Sequence, residues 1–330
     1  LPFAAARGMG DVVRQTFEGV MKDRLVTLIG GGGFVGRYVA QALLKTGARV
    51  RIVQRDPRSA WFLKPLGGLG QTQFVAGDIR KPDSLARALA GSDAVVNLAG
   101  AFGRDAEAIN AIGAENAAKA AAAAGAAAFV QVSAIGADIE AQSDYGRSKG
   151  EGEALVRTAF PTATILRPSF IFGQEDKFVN RFAGLIARAP VVPVLRGAMR
   201  MQPVYVADVA AAIVKAVADP EAFGGKTLEL GGPEVITFTQ FHQRLSDGIG
   251  RHPLLVDLPD FAGAGIATLG FLPGMPITWD QWLMLQTDNV AAEDGLAQLG
   301  IEPTLLDAVA PGWLVQYRRH GRFAGAHQAA

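Results

Sequence analysis

Tyr145 and Lys149 stand four residues apart in the run Tyr145-Gly-Arg-Ser-Lys149, a spacing that puts both side chains on one face of a helix. A lysine ammonium beside a phenol lowers its pKa from about 10, and a phenol so tuned can pass a proton to or from a carbonyl oxygen during hydride transfer. Ser133 ends an apolar, strand-like run twelve residues before Tyr145, where its hydroxyl could hold that oxygen. Taken singly, a Tyr-x-x-x-Lys describes many surface helices and a serine caps many strands. The three residues mean more in company with a hydride carrier.

A cradle for such a carrier lies upstream. Residues Ile29 to Arg37, IGGGGFVGR, follow an apolar run (Leu25, Val26, Leu28, Ile29) and open into a helical pattern. The glycines fit two registers, Gly30-x-x-Gly33-x-x-Gly36 and Gly31-x-Gly33-x-x-Gly36. Either way the first glycine permits a tight turn, Gly33 lets the backbone approach a pyrophosphate, and Gly36 lets the next helix pack against the strand. The free N–H groups of Phe34, Val35 and Gly36 then attract an anion. After the second strand, Gln54 stands where a NAD-selective fold places the acid that binds the ribose 2′-hydroxyl, and Arg55 follows. Arg55, joined by Arg37, suits a 2′-phosphate and points to NADPH over NADH; the competing reading gives the acid's work to Asp56. Asp78 and Ile79 after the third strand, and Ala99 and Gly100 after the fourth, sit at the carboxyl edge where nucleotides lie, although either stretch also reads as an ordinary turn.

The elements that position these residues alternate in type. Strands are expected at 25–29, 49–54, 73–76, 94–98, 128–132 and 163–167, and helices at 34–46, 58–66, 82–90, 105–124 and 144–159, with Gly47 and Gly125 as stop signals. This is an α/β chain with a Rossmann-like, doubly wound parallel sheet. Beyond Arg167, prolines 168, 190, 193 and 203 interrupt the pattern; a helix over 203–217 and a strand over 227–230 rejoin it. The expected organisation is an N-terminal extension at 1–22, a nucleotide-binding domain at 23–230 with an insertion at 171–200, and a smaller, irregular and helical C-terminal domain at 231–330. MKDRLVTLIGGGG reads as a natural start at Met21, with residues 1–20 upstream of it.

Composition excludes several classes. The 32 basic and 31 acidic residues leave a formal charge of +1, no footprint for general nucleic-acid binding. With no cysteine, and with four scattered histidines (His242, His252, His320, His327), neither thiolate nor imidazole metal sites are expected. No apolar run is long enough to span a bilayer. Phe261 to Met275, FAGAGIATLGFLPGM, is short and glycine-rich, and with Trp279 and Trp282 it suits a protein contact or a membrane surface.

Together these residues resemble the short-chain dehydrogenase/reductase superfamily in its extended and atypical branch, over Leu25 to roughly Leu230. Longer segments narrow the resemblance: GGLGQTQFVAGDIRKPDSL at 67–85, YGRSKGEGEALVRTAFP at 145–161, RPSFIFGQEDKFVNRFA at 167–183, MQPVYVADVAAAI at 201–213 and QTDNVAAEDGLAQLGIEPTLL at 286–306. They are similar to the nucleotide-binding accessory subunits of respiratory complex I, NADH:ubiquinone oxidoreductase. That resemblance implies a tightly held NADPH in a Rossmann-like domain and docking on the peripheral arm near the quinone end and the membrane surface. In a bacterial relative this is the cytoplasmic side of the inner membrane. It also implies a nucleotide kept without established turnover, contacted by the glycine loop, Arg55, Ser133, Tyr145, Lys149 and Pro168. Ser133, Tyr145 and Lys149 are equally the set an NADPH-dependent reductase or epimerase would use, so their presence does not separate holding from reacting.

Overall fold

The computed structural model describes residues 21–272, 277–319 and 321. The extension at 1–20, the stretch 273–276 that closes the apolar run, and both His320 and His327 lie outside the described residues.

Consecutive buried apolar residues, rather than alternating ones, mark strands covered on both faces. β1 (Leu25–Ile29) is buried throughout, as are β4 (Ala94–Asn97) and β5 (Ala128–Val132). With β2 (Arg49–Gln54), β3 (Thr72–Ala76), β6 (Thr164–Pro168) and β11 (Thr227–Leu230) they form one seven-stranded sheet in the order β3-β2-β1-β4-β5-β6-β11. The registers of β1 with β2 and β4, of β2 with β3, and of β5 with β4 and β6 are parallel. β11 runs the same way: Ile165 donates its N–H to Lys226 O, and Ser169 donates to Leu230 O. The strand order reverses direction at β1 and β4, the point where ligands enter doubly wound sheets.

Helices α1 (Phe34–Lys45), α2 (Pro82–Leu89), α3 (Ile112–Ala123) and α4 (Asp144–Ala159) connect these strands. The alanine run packs as expected of the best helix former: Ala114, Ala117, Ala118 and Ala121 of α3 are wholly buried in a cluster with Leu85, Leu89, Val95 and Phe129. Two of the expected helices take other forms. Pro57–Leu66 is a 3₁₀ helix that contains Pro65. The helix expected over 105–124 begins with a π-helical turn at Glu107–Ala111.

The fold has two compact units. Among the described residues, the first comprises those within 21–133, 148–166 and 209–228, and the second those within 134–147, 167–208 and 229–321. The second holds more regular structure than the irregular pattern foretold. α5 (Phe178–Arg188) is followed by β8 (Val191–Leu195), which pairs in parallel with β13 (Leu254–Leu258). Pro193 does not prevent this, because an outward-facing proline is tolerated where its missing N–H leaves no partner unpaired. Short pairs join β7 (Ile171–Phe172) to β10 (Val204–Tyr205), and β9 (Arg200–Met201) to β12 (Ile236–Thr237). The helix expected from 203 therefore starts later, as α6 (Val206–Ala218).

The twelve-residue α7 (Phe238–Ile249) was also not foreseen, although its signal was present: Thr237 and Gln240 form a reciprocal capping box. Phe238, Phe241 and His242 of α7 stack with Phe178 and Phe182 of α5 at centroid distances of 4.7 to 6.1 Å, the edge and offset geometries that aromatic quadrupoles favour.

Candidate nucleotide site

Gly30 and Gly36 of the loop each have a distinct physical reason. Gly30 has φ +78°, and a Cβ there would lie 3.3 Å from the backbone of Leu98 and Ala99 at the end of β4. A Cβ on Gly36 would fall 2.4 Å from the carbonyl oxygen of Gly31, so α1 can start this close to the turn only without a side chain. Gly33 is the N-cap of α1 with an extended backbone. No side chain caps this end, and no acidic residue occupies its first turn. The N–H groups of Phe34, Val35 and Gly36 thus belong to a twelve-residue helix whose positive end bears no competing carboxylate.

Gln54, at the end of β2, covers the loop: its Nε2 lies 2.5 Å from where a Cβ on Gly32 would be. Arg55 is exposed beside it. Asp56 has another role, since its carboxylate accepts the Arg58 N–H at 3.0 Å and caps the 3₁₀ helix. The Arg37 guanidinium carbon sits 4.6 Å from the Phe62 ring centroid, in cation–π contact.

Along the carboxyl edge the predicted residues separate by task. Asp78 is paired with Arg80 at 2.8 Å, and that hydrogen-bonded cation holds its carboxyl down to about 2. Ile79 is core, packed beneath Gly113 of α3. Asn97 orders the β4 end by accepting the Ala99 N–H at 3.1 Å while donating to Gln131 at 2.9 Å. Gly100 lies against Lys149: a Cβ there would be 3.4 Å from the Lys149 Nζ.

Lys149 is 4% exposed and donates to Val132 O at 3.2 Å. Burial pushes its ammonium down to about 8, against an opposing pull from Glu153. The adjacent residue is Ser133, whose N–H donates to Leu166 O at 2.7 Å. Its buried Oγ has no partner among the described residues, a hydroxyl left available to a ligand. Pro168, at the end of β6, is buried and accepts the Ile135 N–H at 3.1 Å.

Tyr145 lies one turn before Lys149 on α4 and is half-buried. The expectation of a lowered phenol pKa is corrected here, because burial dominates and raises it to about 12. Desolvation penalises a phenolate more than a neutral phenol. Tyr145 therefore keeps its proton and is a donor in this environment.

Two contributors escaped the sequence reading. Asn110, in the π-helical turn, accepts the Ala101 N–H at 2.9 Å and donates to Ala101 O at 2.8 Å and Ser148 Oγ at 3.0 Å. A Cβ on Gly152 would stand 2.0 Å from Asn110 O, so α4 comes this close only because that residue is glycine. The tight approach and the side-chain bonds account for the widened turn, a form that recurs at functional sites. The other is Asp280, whose Oδ1 accepts the Asp144 N–H at 2.6 Å and which also accepts from Tyr145 N–H, capping the start of α4. No local pattern could reveal a cap 136 residues away in sequence.

Residues 26–231 match the model of the NAD dependent epimerase/dehydratase family. The chain belongs to that family. Among its relatives, NADH dehydrogenase (ubiquinone) 1 alpha subcomplex subunit 9, the mitochondrial protein of Arabidopsis thaliana, is 34% identical over 96% of this chain and 84% of its own length. The counterpart in Mus musculus is 35% identical over 89% of this chain and 79% of the relative, so the chain belongs with the complex I subunit 9 proteins inside the family. A ceramide reductase of Caulobacter vibrioides is also 35% identical, over 75% of this chain and 77% of the relative. The fold matches that of a dTDP-glucose 4,6-dehydratase from Streptomyces venezuelae solved with NAD bound, at TM-score 0.69 and 20% identity, covering 90% of this chain and 98% of that one.

Proposed function

We propose that this family member is an accessory subunit of respiratory complex I that holds NADPH as a structural cofactor. The observation that carries this reading is the similarity to the subunit 9 proteins along almost the whole chain, the C-terminal third included. The site is consistent with it. The residues fit a dinucleotide: the absence of a side chain at Gly30 and Gly36 lets the loop and the start of α1 close up as a phosphate cradle requires, and the orphaned Ser133 Oγ offers a hydroxyl to the nicotinamide end. Gly30 to Gly36 and the α1 N-terminus would take the pyrophosphate, and Lys149 and Tyr145 the nicotinamide ribose. Arg55 supports the 2′-phosphate form, since Gln54 offers no carboxylate and that of Asp56 caps a helix. A ligand present at about a hundredfold over its Kd stabilises the native state by about 2.7 kcal/mol.

No helix among the described residues is long and apolar enough to cross a membrane. Docking on the peripheral arm near the quinone site, at the cytoplasmic face of a bacterial inner membrane, is part of this proposal. The apolar surface around Phe261 and Trp279, both exposed, is the contact it assigns to neighbouring subunits or lipid.

A second reading, an NADPH-dependent reductase or epimerase acting on a carbonyl or quinone-like substrate, is favoured by the retained Ser133, Tyr145 and Lys149 and by the ceramide reductase relative. The nicotinamide would supply hydride; Ser133 would hold the substrate oxygen, Tyr145 would donate its proton to it, and Lys149 would hold the ribose.

One purification tests both readings. The protein is isolated without added nucleotide, the released cofactor is identified after denaturation, and the native protein is challenged with quinones and carbonyls. Stoichiometric NADPH that no acceptor oxidises, with co-migration of the subunit and complex I in native gels, is the expected result. Exchangeable nucleotide oxidised by an acceptor, and no co-migration, would replace the first reading with the second.

A further inference from the structure

One side of the 3₁₀ helix Pro57–Leu66 adjoins the glycine loop, through Ala60 beside Gly32 and Phe62 under Arg37; the rest of the helix and the turn after it carry a separate exposed surface. A 3₁₀ helix has three residues per turn, so residues three apart eclipse. Ala60 and Leu63 accordingly point inward and are buried. Trp61, Phe62 and Leu66 are 48%, 46% and 43% exposed, and Leu69 is fully so. Lys64 stands over the Trp61 ring, its Nζ 3.8 Å from the centroid. The segment is one-signed in charge: between Asp56 and Asp78 the sequence has Arg58 and Lys64 and no acidic residue, and the Asp56 carboxylate is held by the Arg58 N–H.

We infer that residues 58–69 form an interfacial docking surface for an anionic lipid bilayer. Tryptophan, phenylalanine and leucine projecting beside basic side chains are what the headgroup boundary of a membrane accommodates, apolar groups entering the acyl edge and ammonium and guanidinium groups staying at the phosphates. Charge complementarity selects this occupant: residues 58–69 carry Arg58 and Lys64 and no carboxylate to repel anionic headgroups. Lys64, poised on Trp61, keeps its charge at the height of the ring that would enter. The inference is independent of the nucleotide's identity and of turnover.

The absence of cysteine from the chain gives a clean test. Leu69→Cys is labelled with an environment-sensitive fluorophore, and Glu221→Cys, exposed in the short helix Pro220–Phe223 of the same unit, serves as the control. Both are mixed with protein-free vesicles of phosphatidylcholine, with or without phosphatidylglycerol. A blue shift at Leu69 only, with phosphatidylglycerol vesicles only, and reversed by salt, is the expected result. Lys64→Glu should weaken vesicle binding about tenfold, and Trp61→Ser combined with Leu66→Ser should abolish it while bound nucleotide is retained. No shift at Leu69 or an equal shift at both labels would overturn the inference, and so would a shift that appears only when membranes containing complex I replace the vesicles, the last in favour of a protein partner. Should the double variant fail to fold, the labelled Leu69→Cys protein still decides.

Discussion

The two units solve the same problem, ordering a chain around a core, by opposite means. In the first, neighbours in space are mostly neighbours in sequence order: each strand from β1 to β5 leads through a helix to the next, and the precise contacts are backbone to backbone, such as Gly36 against Gly31. In the second, order comes from side chains that meet across long stretches of sequence. Arg200 pairs with Asp288 at 2.7 Å, Ser169 donates to Asn289 at 2.7 Å, and buried Asp208 accepts both the N–H and the hydroxyl of Thr304. A periodic fold leaves its loops free to become a site. An aperiodic one must commit its polar groups to holding itself together.

The sharpest break of that contrast is Phe241→Ala. Phe241 is 1% exposed amid the stacked rings of α5 and α7, and its loss should cost about 4 kcal/mol. Denaturant titration should show this with the identity of the released nucleotide unchanged. Gly36→Ala should do the reverse, costing about 2 kcal/mol of stability but removing bound nucleotide from the purified protein; retention of full occupancy would mean that the cradle lies elsewhere.

Arg55→Ala tests specificity inside the first unit. If the exposed guanidinium holds a 2′-phosphate, NADPH affinity should fall about tenfold, close to 1.4 kcal/mol, with NADH affinity unmoved in calorimetric titration. Equal loss for both nucleotides would return the acid's role to Asp56.

The smallest effect concerns the committed polar groups. Burial raises the Asp208 carboxyl to about 6 despite the Thr304 bonds. The folded state then binds a proton more tightly than the unfolded one, so this group's contribution is favourable below about pH 4 and is lost as pH rises through 6. Asp208→Asn should therefore match the natural protein in acid and exceed it in stability at pH 7.5; a difference that does not vary with pH would show that Asp208 is not titrating.

How much of this was legible depends on range. The parallel strands of the first unit lie within a residue of their expected bounds, because an apolar run between glycine and helix signals is a local pattern. The Tyr145 to Lys149 spacing was likewise a local fact. Their electrostatics were not: the phenol rises to about 12 because of what surrounds it, and Asn110 joins the Lys149 environment only because the turn widens and Gly152 lets a helix in. In the second unit, prolines at 190 and 193 suggested broken structure. The pairing of β8 with β13, which overrides that suggestion, joins segments some sixty residues apart.

The sequence by itself determined the alternation of strand and helix, the glycine loop, the spacing of tyrosine and lysine and the family to which they belong, because each is written in residues close along the chain. The tertiary structure decided which polar groups are buried, which are paired and which, like Ser133 Oγ, are left over. Desolvation and hydrogen-bond satisfaction depend on neighbours brought from afar, and no local window contains them.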